Sequence, residues 1–471
     1  MARDKPCTTY CGELSFALID CILALDLLHR TAIHFLYGLR AKKSNLTRLA
    51  RSMQMQEVRD PVHGFIYFND AEMEIVNTAV FQRLRYIRQL AFTHLVYPGA
   101  EHSRFAHSMG VMEFATKMFD TLTMKNLAKL KKWSKARVVR NRQLLRLAAL
   151  LHDTGHAPFS HASEELLQGV KHEEISRRFI LSEPLAPLIN KFKKGLGITA
   201  DDVASFFSPT NLDPDIAFLK EIFAGEVDAD KLDYLYRDSL FTGVHYGRFD
   251  YQRLIQSLCL IEDRDSVGNF IMAIEHGGLH ALEAMVLARY FMFTQVYFHK
   301  IRRAYDHHLL DFLKEYVKKY PTSLKEYVKY DDHVIFSLMR EHFKNDDARR
   351  ILSRDPFVQS FRTIEHIDAE QRTRFSWLRE ALGREFKGTK MFFDAAEGSP
   401  HKFEKIGTYV LGASTGAPSL VQVESGIIHN LQKIEQYRVF TPKESKEKVH
   451  NFCTQFWSDH AVGTTGAAAA S

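Results

Sequence analysis

One segment constrains this chain more than any other. The apolar run Leu144 to Leu151, broken only by Arg146, ends directly in His152-Asp153. Such a run reads as a buried helix. It carries an imidazole and a carboxylate to the edge of a core, where an unpaired charge is costly. Thr154-Gly155-His156-Ala157-Pro158 follows, and Gly155 and Pro158 break the helix there. His152, Asp153, His156 and His161 fall within ten residues. A metal ion is an effective partner for a carboxylate so placed, and divalent-ion sites combine His nitrogens with carboxylates. His107, in Arg104-Phe105-Ala106-His107, and Asp230, early in the run Asp228 to Asp238, are the further candidate ligands.

Helical periodicity extends from Glu72 through most of the chain, with Phe81, Leu84, Ile87 and Leu90 on one face. Helices are expected near 108–119, 144–151, 173–181, 279–298 and 305–317. Before them, Phe65-Ile66-Tyr67-Phe68 reads as a strand after the turn signals Asp60-Pro61 and His63-Gly64. After Arg384 the composition shifts, and Tyr409-Val410-Leu411, Leu420-Val421-Gln422-Val423 and Tyr437-Arg438-Val439-Phe440 read as strands before a last helix, 443–457. The expected organisation is an N-terminal helical and basic extension over 1–52, a helical domain over 53–384, a small α+β subdomain over 385–460 and a disordered tail over 461–471. The fold class is mainly α.

The chain has 471 residues, 45% of them hydrophobic and 25% charged, enough for a sizeable core. A net charge of +6 implies no global nucleic-acid or membrane role. One local exception is the basic segment Lys125 to Arg146, read as a solvated face or as an anion surface for nucleotide or nucleic acid. The stretch Leu14 to Leu39 is apolar, but Asp20, Asp26, His29 and Arg30 interrupt it, so an amphipathic helix is expected and not a membrane span. Five cysteines without paired CxxC motifs fit a reducing, cytoplasmic location.

The order His107, His152-Asp153, Asp230 resembles the signature of the HD superfamily of metal phosphohydrolases. More closely, the chain resembles the deoxynucleoside triphosphate triphosphohydrolases, which include bacterial dGTPases and the vertebrate enzymes that join a sterile alpha motif to an HD domain. The resemblance rests on Asp60-Pro-Val-His-Gly64, Phe81-Gln-Arg-Leu-Arg-Tyr-Ile-Arg-Gln-Leu90, Tyr97-Pro-Gly-Ala100, Arg104-Phe-Ala-His-Ser108, the His152 segment, Asp230-Lys-Leu-Asp-Tyr234 and Arg302-Arg-Ala-Tyr305. It covers roughly residues 56–310, and no sterile alpha motif is evident before residue 53.

The resemblance implies an HD-domain helical bundle that hydrolyses a dNTP to deoxynucleoside and inorganic triphosphate, controlling nucleotide pools and serving antiviral defence. His107, His152, Asp153 and Asp230 would hold one divalent ion (Mn, Fe, Mg, Ni or Zn), and a second Mg would arrive with the nucleotide. His156 and His172 match catalytic histidines, Glu164 a carboxylate that orients one of them, and His161 a group near the α-phosphate. Arg104 and Lys231 match phosphate contacts, Gln89 and Asp238 contacts to the sugar 3′-hydroxyl, and Tyr234 a ring packed on the sugar. Leu90 would crowd the 2′ position, and Tyr305 would lie near the base. Asn77, Gln82 and Arg85 match an allosteric nucleotide site in a homo-oligomer, dimer or tetramer. Two departures stand out. Tyr297 falls where the vertebrate enzymes have a phosphate-binding Arg. Asn77 replaces an Asp that accepts two hydrogen bonds from guanine, which Asn cannot do equivalently. The competing reading is an HD phosphodiesterase or nuclease acting on nucleic acid, cyclic nucleotide or nucleoside monophosphate.

Overall fold

The computed structural model describes residues 55–460 except 127, 132, 209–216, 264–268, 404–406 and 414–415. The expected N-terminal extension, its apolar stretch and the C-terminal tail lie outside them. In chain order the elements that matter here are β1 Gln56–Asp60, β2 Gly64–Phe68, α1 Arg104–Lys125, α2 Lys135–Leu151, α3 His172–Ile180, α4 Ala229–Thr242, β3 Leu258–Glu262, β4 Phe270–Ile274, α5 Leu279–Met292, α6 Lys300–Tyr316, α7 Asp332–Glu341, β5 Val358–Arg362, α8 Ala369–Glu385, β6 Phe392–Gly398, β7 Tyr409–Leu411, β8 Pro418–Leu420, β9 Ile434–Thr441 and α9 Lys446–Asp459. The fold is mainly α. No described helix is long and apolar enough to cross a membrane.

The helical core forms around α1 and α2, whose inward residues from Val111 to Phe119 and from Leu144 to Leu151 are buried. Arg146, the one charge in the α2 run, is also buried. Its guanidinium meets both oxygens of Glu72 at 2.7 and 2.8 Å, the Thr116 hydroxyl and the Tyr67 carbonyl. Four of the five donors of the rigid fork are thereby used, which makes burial of the charge tolerable.

Phe81, Leu84 and Ile87 are fully buried, but not on a long helix. The chain makes one α turn over Ala79–Gln82 and then a 3-10 turn over Arg83–Tyr86. Apolar residues three apart eclipse one another in a 3-10 turn, so this spacing is better served by it. Likewise α5 stops at Met292, and a π turn, Phe293–Tyr297, follows.

Among the described residues three small sheets accompany the helices: β1-β2, β3-β4-β7-β8 and β5-β9-β6. In the last, β9 lies between two antiparallel neighbours. Its core joins Phe361, Phe375, Leu378, Leu382, Val439, Val449 and Cys453, so it draws β5 and α8 from before residue 385. By contrast β7 pairs with β4, and belongs to the sheet beside the helical core. The strand expected over Leu420–Val423 is not formed: β8 ends at Leu420 and a helical turn, Val421–Glu424, replaces it. Leu420 already pairs with Tyr409, the first residue of β7, so no partner remains for a longer strand.

The basic segment is largely consumed inside the molecule. Lys125 pairs with Glu275 at 2.6 Å, Arg140 with Asp202 at 3.2 Å and Arg142 with Asp120 at 2.7 Å. Lys129 donates to the Leu260 carbonyl, and Arg137 lies over the Trp133 ring.

Candidate functional site

α2 ends by placing His152 and Asp153 beside α1, which carries His107, and α4, which carries Asp230. Asp228 caps α4 by accepting from the Lys231 amide at 2.7 Å, and so fixes where Asp230 enters. Burial pushes the Asp228 carboxyl up to about 6, against the pull of Lys231. The four side chains converge. His107 Nε2 lies 3.0 Å from Asp230 Oδ1 and 3.7 Å from Asp153 Oδ2. His152 Nε2 lies 3.1 Å from Asp153 Oδ1 and 3.8 Å from Asp230 Oδ1.

The tautomers show what this arrangement lacks. His107 Nδ1 faces the Asp233 carboxylate at 2.8 Å, and His152 Nδ1 faces the Ala149 carbonyl at 2.8 Å, so both Nδ1 atoms carry the proton. Two Nε2 lone pairs then face two carboxylates, and His152 Nε2 is buried without a hydrogen-bond partner. Burial opposes protonation of His107, but Asp230 and Asp233 outweigh it and push the imidazole up to about 10. A group of donors that attracts a proton so strongly is short of positive charge. His107, His152 and Asp153 can hold a metal ion, with Asp230 beside them, and the two-nitrogen, two-carboxylate set suits a first-row divalent ion.

Asp233 is a residue of the site that the sequence motifs do not single out. It lies three residues after Asp230 on α4, fully buried, and accepts from Arg237, His107 and His63. Arg237 in turn reaches Asp60 at 2.9 Å. A carboxylate behind a metal-binding imidazole fixes its ring and raises its basicity. Asp233→Asn should weaken metal affinity about 10–100-fold with the fold intact, as read by competition with a chromophoric chelator. Unchanged affinity would remove Asp233 from this role.

A second group lies next to the first. His156 Nε2 sits 3.2 Å from Asp153 Oδ1, and the His156 and His172 rings stack with centroids 3.8 Å apart. Glu164 Oε1 faces His172 Nδ1 at 2.7 Å and His161 Nδ1 at 3.1 Å. Burial, with Arg104 and His172 nearby, holds His156 well below the usual imidazole range. Burial also opposes protonation of His172, but its hydrogen bond to Glu164 outweighs that and raises it. Two stacked imidazoles do not both carry charge readily, and of the two His172 is the one that takes a proton more readily.

The segment between these groups is held from α7. Phe159 and Ser160 both adopt φ of +57°, a left-handed conformation costly for residues with a side chain. Asp332 pins it: Oδ1 accepts from the Phe159 amide at 2.7 Å and Oδ2 from the Arg88 amide at 3.0 Å. Asp332→Ala leaves both buried amides unpaired and should cost about 2–5 kcal/mol, measured by chemical denaturation. Burial pushes the Asp332 carboxyl up to about 6, above its unfolded value of about 3.9. A raised acid stabilises most below the unfolded pKa, and that contribution is lost as pH rises through about 6. The stability gap between wild type and Asp332→Asn should therefore shift between pH 4 and pH 7, approximately.

A cavity of about 810 Å³ joins these groups. Its wall includes all four proposed metal ligands, His156, His161 and His172, and also Gln89, Leu90, Arg104, Lys231, Tyr234 and Asp238. Glu164 stands behind His172 and not in the wall. Tyr305, expected near the base, is 2% exposed, packs on Phe92 and does not line the cavity. Tyr297 does line it, turned inward by the π turn, and its hydroxyl donates to Asp238 Oδ2 at 2.8 Å. His102 meets the other oxygen at 2.8 Å. Arg104 already bridges Asp153 and Ser160, and Lys231 bridges Asp228 and the Gly225 carbonyl. Asn77, Gln82 and Arg85 lie outside the cavity wall. Gln82 bonds the Val76 carbonyl and Arg85, whose guanidinium covers Phe105 at 3.5 Å.

The HD-domain family model matches residues 104–205, and the model of an HD-associated region matches 249–376. An uncharacterized Bacillus subtilis protein, YwfO, is 32% identical over 328 residues, 64% of this chain and 70% of its own length. The crystal structure of a hypothetical protein from Aquifex aeolicus superposes with a TM-score of 0.71 at 31% identity, covering 85% of this chain and all of that one. The Gallus gallus protein named deoxynucleoside triphosphate triphosphohydrolase SAMHD1 is 34% identical over 241 residues, 45% of this chain. This chain spans 38% of the length of that protein. With His107 and the His152-Asp153 pair inside the matched HD region and a full-length structural relative at 31% identity, the chain belongs to the HD-domain family.

Proposed function

We propose that this protein is a metal-dependent dNTP triphosphohydrolase, releasing deoxynucleoside and inorganic triphosphate. The observation that carries the reading is the single cavity wall. It sets the metal-binding group and the His156–His172 pair beside Gln89, Leu90, Arg104, Lys231, Tyr234 and Asp238. When bound, a divalent ion supplies polarisation of an α-phosphate oxygen and a lowered pKa for water. Arg104 and Lys231 bring positive charge to the phosphates. Their present carboxylate partners are the price of keeping them buried, and each retains donors for a phosphate oxygen.

In this reading His172 supplies a proton to the departing 5′-oxygen, with Glu164 stabilising the charged imidazole. His161, exposed at the cavity wall, adds a donor near the α-phosphate. Gln89 Oε1 is buried without a partner and offers an acceptor to a sugar hydroxyl. Leu90 beside it disfavours a 2′-hydroxyl, because an apolar contact leaves that hydroxyl unpaired. Tyr297, in place of a cation, takes one oxygen of Asp238, so sugar recognition leans further on Gln89. Five Lys and Arg side chains face eight Asp and Glu in the wall, which supports a cation requirement for a triphosphate beyond these residues. Assembly into a homo-oligomer and activation by a nucleotide at the Asn77, Gln82 and Arg85 surface belong to the same proposal.

The test is incubation with each dNTP, singly and mixed, with Mn²⁺ or Mg²⁺, and separation of products. Inorganic triphosphate and deoxynucleoside in equal amounts are expected, with little turnover of ribonucleotides. Orthophosphate or pyrophosphate as the product, or no turnover of any dNTP, would overturn the assignment.

A further inference from the structure

We propose that His156, His161, Glu164 and His172 form a second metal site, which takes a borderline divalent ion such as Zn²⁺. The reasoning starts from one carboxylate oxygen. Three imidazole nitrogens face Glu164 Oε1: His172 Nδ1 at 2.7 Å, His161 Nδ1 at 3.1 Å and His156 Nδ1 at 3.7 Å. A carboxylate oxygen accepts two good hydrogen bonds through its lone pairs, and the third nitrogen is left over. That nitrogen is His156 Nδ1, in a side chain 1% exposed, and it has no hydrogen-bond partner.

The tautomer sharpens the point. His156 Nε2 approaches Asp153 Oδ1 at 3.2 Å and so carries the proton. Nδ1 then points a lone pair at a carboxylate. This contact is repulsive as it stands and becomes favourable with a cation between the two groups. Four-coordinate zinc has bonds of about 2.0–2.2 Å to His nitrogen and carboxylate oxygen, which places neighbouring donors about 3.3 Å apart. The three distances to Glu164 bracket that spacing, and all four donor atoms lie within 4.8 Å of one another. Three imidazoles with one carboxylate select zinc-like ions over Mg²⁺. The exposed His161, 64% accessible, gives the ion a route in from solvent.

The two sites are joined through His156, which touches Asp153 of the first group and faces Glu164 of the second.

The experiment counts ions and needs no substrate, so it is independent of which phosphate ester the protein cleaves. Full-length protein stripped with a chelator is dialysed against Zn²⁺ and analysed for bound metal, and in parallel titrated with Co²⁺. Two zinc ions per chain are expected in the wild type and one in His161→Ala/Glu164→Ala, whose remaining ion reports that the fold is intact. The strong visible band of four-coordinate cobalt should persist in Asp230→Ala and vanish in the double variant. Because His161 is exposed, His161→Ala alone retains the fold and should show a weaker second binding step. One zinc per chain in the wild type, or two in the double variant, overturns the proposal.

Discussion

Asp153→Ala should abolish hydrolysis, by about 10⁴-fold or more, and at the same time remove the ion proposed between His107, His152, Asp153 and Asp230. Asp153 is the junction of the site. One oxygen meets His152 and His156 at 3.1 and 3.2 Å, and the other meets Arg104 and, at 3.7 Å, His107. Burial works against its charge, but Arg104 and the imidazoles around it hold the carboxyl well below its usual range. Removing it takes a ligand from the ion and leaves Arg104, 3% exposed, without a counter-charge. Breaking a buried pair from one side costs about 3–5 kcal/mol. Metal analysis, turnover and thermal melting measured on one preparation separate the effects. Asp153→Asn keeps the volume and should lessen the stability loss while leaving metal binding and turnover impaired. Wild-type turnover in either variant would remove Asp153 from the centre.

Asp153 was legible in the sequence because its signal is local: an acid directly after a buried apolar run has few explanations. Its companions in the cavity followed from the resemblance, residue by residue. Asp233 shows where such reading ends. Its spacing from Asp230 puts it on nearly the same helix face, but its partner His63, and the Asp60 that holds its partner Arg237, lie about 170 residues earlier, beyond any local pattern. The same holds for Asp332, which reaches back to Phe159 and Arg88. Tyr305 failed in the opposite direction. Its motif was present, yet a π turn after α5 brings Tyr297 to the cavity, and Tyr305 joins the core. A π turn adds a residue to the helical count, so side chains beyond it face a direction that no fixed period foretells. The strand expected at Leu420–Val423 is absent for a related reason: β propensity describes a fit to neighbours, and β7 offers a neighbour for only three residues.

Gly155→Ala is expected to separate proton transfer from metal binding. A Cβ at this position would press into the His172 carbonyl oxygen and the Ser176 amide nitrogen, both backbone atoms of α3. Neither can swing aside, so α3 must move. Ser176 also holds this approach together, since its hydroxyl accepts from the Gly155 amide and donates to the His152 carbonyl at 2.8 and 2.7 Å. His172 is the first residue of α3, and displacing the helix draws its Nδ1 away from Glu164, the contact that keeps its proton. Misplacement of a reacting group by about 1 Å costs on the order of 100-fold in rate. A fall in kcat of about that size is expected, with an overpacking cost of about 1–3 kcal/mol in stability. The proposed ligands of the first ion sit on α1, at the end of α2 and on α4, so that ion should remain. The contrast with Asp153→Ala decides the matter. If Gly155→Ala lost its ion as completely as Asp153→Ala, the two groups would be one mechanical unit. If it kept both its ion and a wild-type kcat, His172 would not be the acid.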